Sequence, residues 1–73
     1  MLVDVDSPLE FAREHMRGAI NIPLPEINRR AVELDHRQPV VVCAHGKLQA
    51  TRAAPTLRGL GFYEVIDIGR AIL

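Results

Sequence analysis

Apolar and polar positions follow two different periods along this chain. Leu2-Val3-Asp4-Val5 is a short, mostly apolar run of the length and type of a strand buried on both faces. Ser7 then supplies a helix N-cap, Pro8 fits the first helical position and Glu10 completes a capping box. These signals predict a helix over about residues 8–16, with Leu9, Ala12 and Met16 on one face, Phe11 beside it, and Gly18 as the break. Ala19-Ile20-Asn21-Ile22-Pro23 is a brief extended segment closed by proline, and Pro25 permits a second helix nearby. Leu24, Ile27, Ala31 and Leu34 then draw one apolar helical stripe, with Glu26, Arg29, Arg30 and Glu33 outside it.

After the polar loop Asp35-His36-Arg37-Gln38-Pro39, Val40-Val41-Val42-Cys43-Ala44 is the strongest strand signal in the chain. A continuous β-branched run of this kind belongs in the middle of a parallel sheet. His45-Gly46-Lys47 turns the chain, and Ala50, Ala53, Ala54, Leu57 and Leu60 give a third helical pattern that Gly59 and Gly61 help to end. Pro55 removes a helical hydrogen bond at a cost of about 3 kcal/mol, which predicts a helix that begins late or is kinked there. Glu64-Val65-Ile66-Asp67-Ile68 reads as a final strand, with Gly69 opening the last residues. Strands alternating with helices predict an α/β fold: a small parallel β-sheet with right-handed crossovers, flanked by helices on both faces. Ligands of such sheets bind at the carboxyl ends of the strands, and Cys43 stands at the carboxyl end of the central one.

The 73 residues bound the answer to a single domain over residues 1–73, without repeats, low-complexity tracts or linkers. With 48% hydrophobic and 25% charged residues the composition is globular, and neither a membrane span nor a secretory leader is legible. A cytoplasmic location is the expectation. Nine basic residues balance nine acidic ones, so the overall charge gives no argument for nucleic acid or membranes as partners. Between His36 and Tyr63, however, there is no Asp or Glu, while Arg37, Lys47, Arg52 and Arg58 fall there; Arg58 reads as a solvated helix-face charge. One cysteine excludes an internal disulfide, and with three scattered histidines it makes a poor zinc site, so neither metal nor cofactor is expected.

The segment from Cys43 to Gln49 carries the candidate chemistry. A strand, a glycine-containing turn and a helix can aim several backbone N–H groups at one point and form an anion cradle. A thiolate beside it gains from those donors, from the helix dipole and from Lys47, so its pKa is expected to fall below the free value of about 8.5. Gly46 lets backbone approach sulfur closely. A lone cysteine ending an apolar strand is also commonly a small buried hydrophobe, and the turn is what shifts the reading towards reactivity.

Several stretches together resemble the rhodanese family. Leu2-Val3-Asp4-Val5 with Ser7 to Phe11, then Glu14-His15-Met16-Arg17-Gly18-Ala19-Ile20-Asn21-Ile22-Pro23, is similar to the opening of such a domain. Pro39 to Lys47 resembles its strand and active-site loop, C-x-x-G-x, and Leu57 to Phe62 with Val65 to Gly69 resembles its closing motifs. The resemblance implies sulfur transfer. Cys43 would take a sulfane sulfur from a small anionic donor such as thiosulfate, hold it as a persulfide, and pass it to a thiophilic acceptor, whether cyanide, a thiol or a sulfur-accepting protein. Carried onto this chain, Ala44, His45, Gly46, Lys47, Leu48 and Gln49 form the donor-binding cradle.

The chain departs from the family pattern at three places. Asp6 stands where arginine is usual, Leu48 and Gln49 stand where the helix normally opens with Ser or Thr, and the stretch from Cys43 to Leu60-Gly61 is one residue longer than the common single-domain pattern. Relative to that pattern the chain also reads as trimmed at both ends. The rival expectation is a catalytically inactive rhodanese-like binding or regulatory module. A phosphatase or arsenate role would need an arginine where Gln49 stands. A thioredoxin-like role lacks a second cysteine, and a Cys43-His45 dyad is weak because the two lie along one tight turn. His15 reads as an end-of-helix residue that would approach the site if the fold packs as expected, and His36 as a loop residue.

Overall fold

A computed structural model of the chain, described over residues 1–70, places four parallel strands in one sheet: β1 (Leu2–Asp4), β2 (Ile20–Asn21), β3 (Val40–Ala44) and β4 (Val65–Arg70). Their spatial order is β2-β1-β3-β4, with every neighbouring pair parallel. The β-branched run that predicted a central strand is β3 with the predicted boundaries, and it lies between β1 and β4. Right-handed crossovers on this strand order send the helix after β1 to one face and the two that follow β2 and β3 to the other. The sheet is therefore flanked on both faces, as the alternation of elements predicts. Among the described residues, no helix is long and apolar enough to cross a membrane.

The two helical layers are unequal. Helix α1 (Pro8–Arg13) buries no residue, and Leu9 on its expected inner face is 64% exposed. Its start is held by sequence-local chemistry: the Glu10 N–H donates to Ser7 Oγ at 3.3 Å, and Pro8 occupies the first turn. The capping box closes differently from expectation, because the Glu10 carboxylate accepts from the Ser7 hydroxyl. The helix ends three residues before the predicted Met16, with Glu14 extended. A helix this short that buries nothing has little to prolong it, since tertiary packing supplies most helical stability.

The opposite face carries the core. The stripe drawn by Leu24, Ile27, Ala31 and Leu34 does turn inward, with Ile27, Ala31 and Leu34 buried and Leu24 packed against them. It is broken in regularity: a 3-10 turn at Leu24–Glu26, a short α2 (Ile27–Arg30) and a second 3-10 turn at Ala31–Glu33 replace the single predicted helix. Helix α3 (Lys47–Gly59) begins directly after the turn and runs through Pro55, which is exposed, so it does not begin late. It buries Ala50, Ala53, Ala54 and Leu57 against the sheet. The helix closes with paired 6→1 and 5→2 bonds, Phe62 N–H to the Leu57 carbonyl at 3.3 Å and Gly61 N–H to the Arg58 carbonyl at 3.1 Å. Gly61 sits at φ +106°, the left-handed region this ending requires. Arg58, expected to be a free surface charge, reaches back to the Val65 carbonyl at 3.0 Å and ties the end of α3 to the start of β4.

Candidate functional site

Strand alternation sorts the side chains at the carboxyl ends of β1 and β3 into two sets. Val3, Val5, Val42 and Ala44 enter the core shared with α2 and α3. Asp4 and Cys43 occupy alternate positions and face the other way. They are also direct cross-strand partners, so carboxyl and thiol are side by side on strands spaced by roughly 4.8 Å. Extended pairing continues beyond Asp4, through Val5 N–H to the Cys43 carbonyl at 3.0 Å. This carries the next acidic residue, Asp6, to the same corner. Asp4, Asp6 and Cys43 are each 0% exposed.

A chain of hydrogen bonds fixes that corner. The Asp6 N–H donates to Asp4 Oδ1 at 2.8 Å, and the His45 N–H donates to Asp6 Oδ1 at 2.9 Å and Oδ2 at 3.1 Å. His45 Nδ1 meets the same carboxylate at Oδ2. Asn21, beside Asp4 in β2, donates from Nδ2 to the carbonyls of Asp4 and Asp6 at 3.1 and 3.0 Å, pinning the backbone that presents both acids. Asp4 Oδ2 is buried with no hydrogen-bond partner among the described residues. Across β3 the ladder to β4 slips at this level: Val42 pairs with Asp67 but Cys43 with Gly69, at φ +69°, whose N–H is held by Asp67 Oδ1 at 2.7 Å. Such bulges re-aim a strand where pairing gives way to a site. Gly69 is thus a strand residue and the last strand runs on to Arg70, two residues beyond its predicted end.

The electrostatics reverse the sequence-based expectation for Cys43. Burial, reinforced by the charges of Asp4 and Asp6, pushes its thiol up to about 11, where a lowered value was expected. Burial also raises Asp4 to about 6. Burial opposes ionisation of Asp6 as well, but the hydrogen bonds from His45 outweigh it and hold that carboxyl below the usual range. In return, the hydrogen bond to Asp6 raises His45.

The residues expected to cradle an anion are distributed among different tasks. Ala44 ends β3 with its side chain in the core. The His45 N–H is aimed at a carboxylate. Gly46 is exposed, and its carbonyl accepts from Gln49 N–H at 3.2 Å in the first turn of α3; Gln49 is half-buried. A Cβ at Gly46 would come within 3.1 Å of Gln49 Oε1, the close approach for which glycine suits the turn. Leu48 is 60% exposed. Lys47 opens α3, and its side chain lies outside the described part of the structure. His15 stacks on Phe11 at 3.7 Å between ring centroids, and His36 stacks on Phe62 at 4.3 Å, so their ring contacts lie outside the acidic corner.

Asp4 and Asp6 are the site residues that reading for nucleophiles overlooked. The signal was present: Val3-Asp4-Val5-Asp6 alternates strictly, which places both acids on the face opposite the two valines. One nitrogen of His45 and one oxygen of each aspartate lie within 4.8 Å of one another, a spacing compatible with a shared cation.

Comparison with known proteins agrees with this architecture. The Rhodanese-like domain family model matches residues 1–69. Thiosulfate sulfurtransferase PspE of Escherichia coli (strain K12) is 33% identical over 69 residues, covering 92% of this chain and 66% of that protein. Putative sulfur carrier protein YrkF of Bacillus subtilis (strain 168) is 31% identical over 67 residues, covering 92% of this chain and 36% of that protein. The chain spans between 36% and 66% of the length of the curated relatives it matches. The fold of the human single-domain sulfurtransferase TSTD1 superposes with a TM-score of 0.85 at 22% identity, over 97% of this chain and 75% of that one. The chain belongs to the rhodanese-like domain family.

Proposed function

We propose that this chain is a sulfurtransferase of the thiosulfate sulfurtransferase type, which carries a sulfane sulfur on Cys43 as a persulfide. The observation behind this reading is the position of the chain's one cysteine at the carboxyl end of the central parallel strand, beside the turn into α3. In the first half-reaction the Cys43 thiolate attacks the outer sulfur of the donor. A Cys43 S–S bond forms, the donor S–S bond breaks, and sulfite leaves with the electron pair when the donor is thiosulfate. An acceptor thiolate or cyanide then attacks the terminal sulfur and Cys43 departs as thiolate, so no external oxidant or reductant is needed. Donor binding is assigned to the turn from Ala44 to Gln49 that follows the cysteine, with the Ala44 side chain turned into the core and contributing backbone only. A free, reduced thiol of this kind suits the cytoplasm.

The acidic corner governs which donor works well. With its thiol at about 11, Cys43 is ionised to roughly one part in ten thousand at pH 7, because four pH units separate the two. Asp4 and Asp6 oppose added negative charge beside the sulfur, so thiosulfate, with two charges on its reacting group, is a slower donor than a persulfide, which carries at most one there. Incubation with each donor, followed by intact-protein mass spectrometry, is expected to show one added sulfur on wild type, sooner with glutathione persulfide than with thiosulfate. Cys43→Ser is expected to take up none. Thiocyanate production from thiosulfate and cyanide should vanish in the same variant.

A second reading is favoured by the complete burial of Cys43: a non-catalytic rhodanese-like module that binds a partner. Wild type that gains no sulfur from either donor and forms no thiocyanate above Cys43→Ser would establish the module reading.

A further inference from the structure

The acidic corner gathers two buried carboxyls with little to match them. Asp4 and Asp6 have 0% exposed side chains, and the His45 imidazole, hydrogen-bonded to Asp6, is the basic side chain that reaches them among the described residues. Among the described side chains, Lys and Arg form no ion pair with either aspartate. Buried carboxylates are normally matched by donors or cations, because an uncompensated one loses its hydration without replacement. Asp6 is matched by the His45 backbone and ring. Among the described residues, Asp4 is matched on Oδ1 alone and Oδ2 has no partner.

We propose that Asp4, Asp6 and His45 form a binding site for a divalent first-row metal ion, with Zn2+ as the representative probe, next to Cys43. Three observations converge on it. The three ligand atoms lie within 4.8 Å of one another, against the roughly 4.4 Å that two bonds of about 2.2 Å span at most, so small side-chain rotations bring all three onto a single ion. The fully buried Asp4 carboxylate has an unsatisfied oxygen in the corner. His45 retains 30% side-chain exposure, so the corner has a path to solvent. The donor set selects the chemistry: an imidazole nitrogen with two carboxylates suits zinc or its first-row neighbours, whereas calcium and magnesium favour a shell of oxygens. Three protein ligands also leave a position open in a tetrahedral shell, the arrangement of an exchangeable rather than a closed structural ion. Counting cysteines and histidines in the sequence hides this site, because two of its ligands are aspartates one residue apart on a strand.

The inference stands apart from the sulfur-transfer reading, and its test uses binding instead of turnover. Protein stripped with EDTA and dialysed is titrated with ZnCl2 in competition with a chromophoric zinc indicator, and with CoCl2 followed in the visible. Wild type is expected to bind one equivalent of zinc with micromolar or tighter affinity, and to give cobalt bands stronger than those of the aqueous ion. Asp4→Asn and His45→Gln are each expected to weaken zinc binding by at least about tenfold. The double variant His15→Gln/His36→Gln, outside the corner, is expected to bind as wild type does. Equal affinity of wild type and Asp4→Asn overturns the assignment, as does loss of binding only in the His15/His36 variant. Unaltered cobalt spectra with wild type overturn it too, whatever the fate of the variants.

Discussion

At the scale of single residues, the same cysteine is legible in the sequence while its surroundings are not. Its position follows from strand pattern and a glycine turn, but its ionisation depends on Asp4, which is 39 positions earlier and becomes a neighbour only when β1 pairs with β3. The basic residues that gave the 36–63 stretch its positive character do not decide the issue; burial does, reinforced by Asp4 in β1 and Asp6 just beyond it. This has a direct consequence for reactivity. In EDTA-treated protein, alkylation of Cys43 by iodoacetamide is expected to be slow at pH 7–8 and to keep accelerating as the pH approaches 11, because only the thiolate reacts. Asp6→Asn removes one of the charges that raise the thiol, and is expected to speed alkylation at pH 8 by about threefold or more, half a pKa unit being worth about that factor. Mass spectrometry of timed samples gives both rates. A rate that levels off near pH 8 in wild type would show that the carboxylates do not control the sulfur.

At the scale of elements, local signals set the starts well and the lengths poorly. Ser7, Pro8 and Gly61 act through bonds to residues within a turn or so, and each does its predicted work. The extent of α1 depends instead on what covers Leu9 and Phe11, which no local pattern encodes, and the stripe over residues 24–34 fixes an inward face without fixing a regular helix. These differences imply that α1 and α3 contribute unequally to stability. Leu57→Ala empties a fully buried position and is expected to cost about 2–5 kcal/mol, a large share of the roughly 4–11 kcal/mol available to a chain of this size. Ser7→Ala removes the cap of α1 at a local cost of about 1 kcal/mol. Because α1 buries nothing, that loss is expected to appear as faster hydrogen exchange at residues 8–13, with little change in the global urea midpoint. A shift of that midpoint as large as the one from Leu57→Ala would mean that α1 is an integral part of the cooperative unit.

At the scale of the whole molecule, a parallel sheet with an apolar layer on one side and an acidic corner on the other couples folding to pH. Asp4 is raised above its unfolded value, so its contribution is fully present below pH 3.8 and is lost as the pH rises through about 6. His45 is raised as well, and its contribution is present below 6.5 and lost as the pH climbs past its folded value. Asp6 is lowered and works the other way, its contribution being present above 3.8 and lost only as the pH falls through its folded value. Between pH 4 and 8 the first two dominate, so metal-free protein is expected to melt at a lower temperature at pH 8 than at pH 5. Asp4→Asn supplies a neutral group that keeps an oxygen for the Asp6 N–H and adds an N–H donor towards the acidic corner. It is therefore expected to raise the thermal midpoint at pH 7.5 and flatten the slope between pH 4 and 6, at roughly 4–8 °C per kcal/mol for a domain of this length. Differential scanning calorimetry at three pH values, with EDTA present, separates the outcomes. If Asp4→Asn melts lower than wild type at pH 7.5 and keeps the same slope, the orphaned carboxylate oxygen is not a cost to the apo fold, and the corner's charge is balanced by something other than a proton.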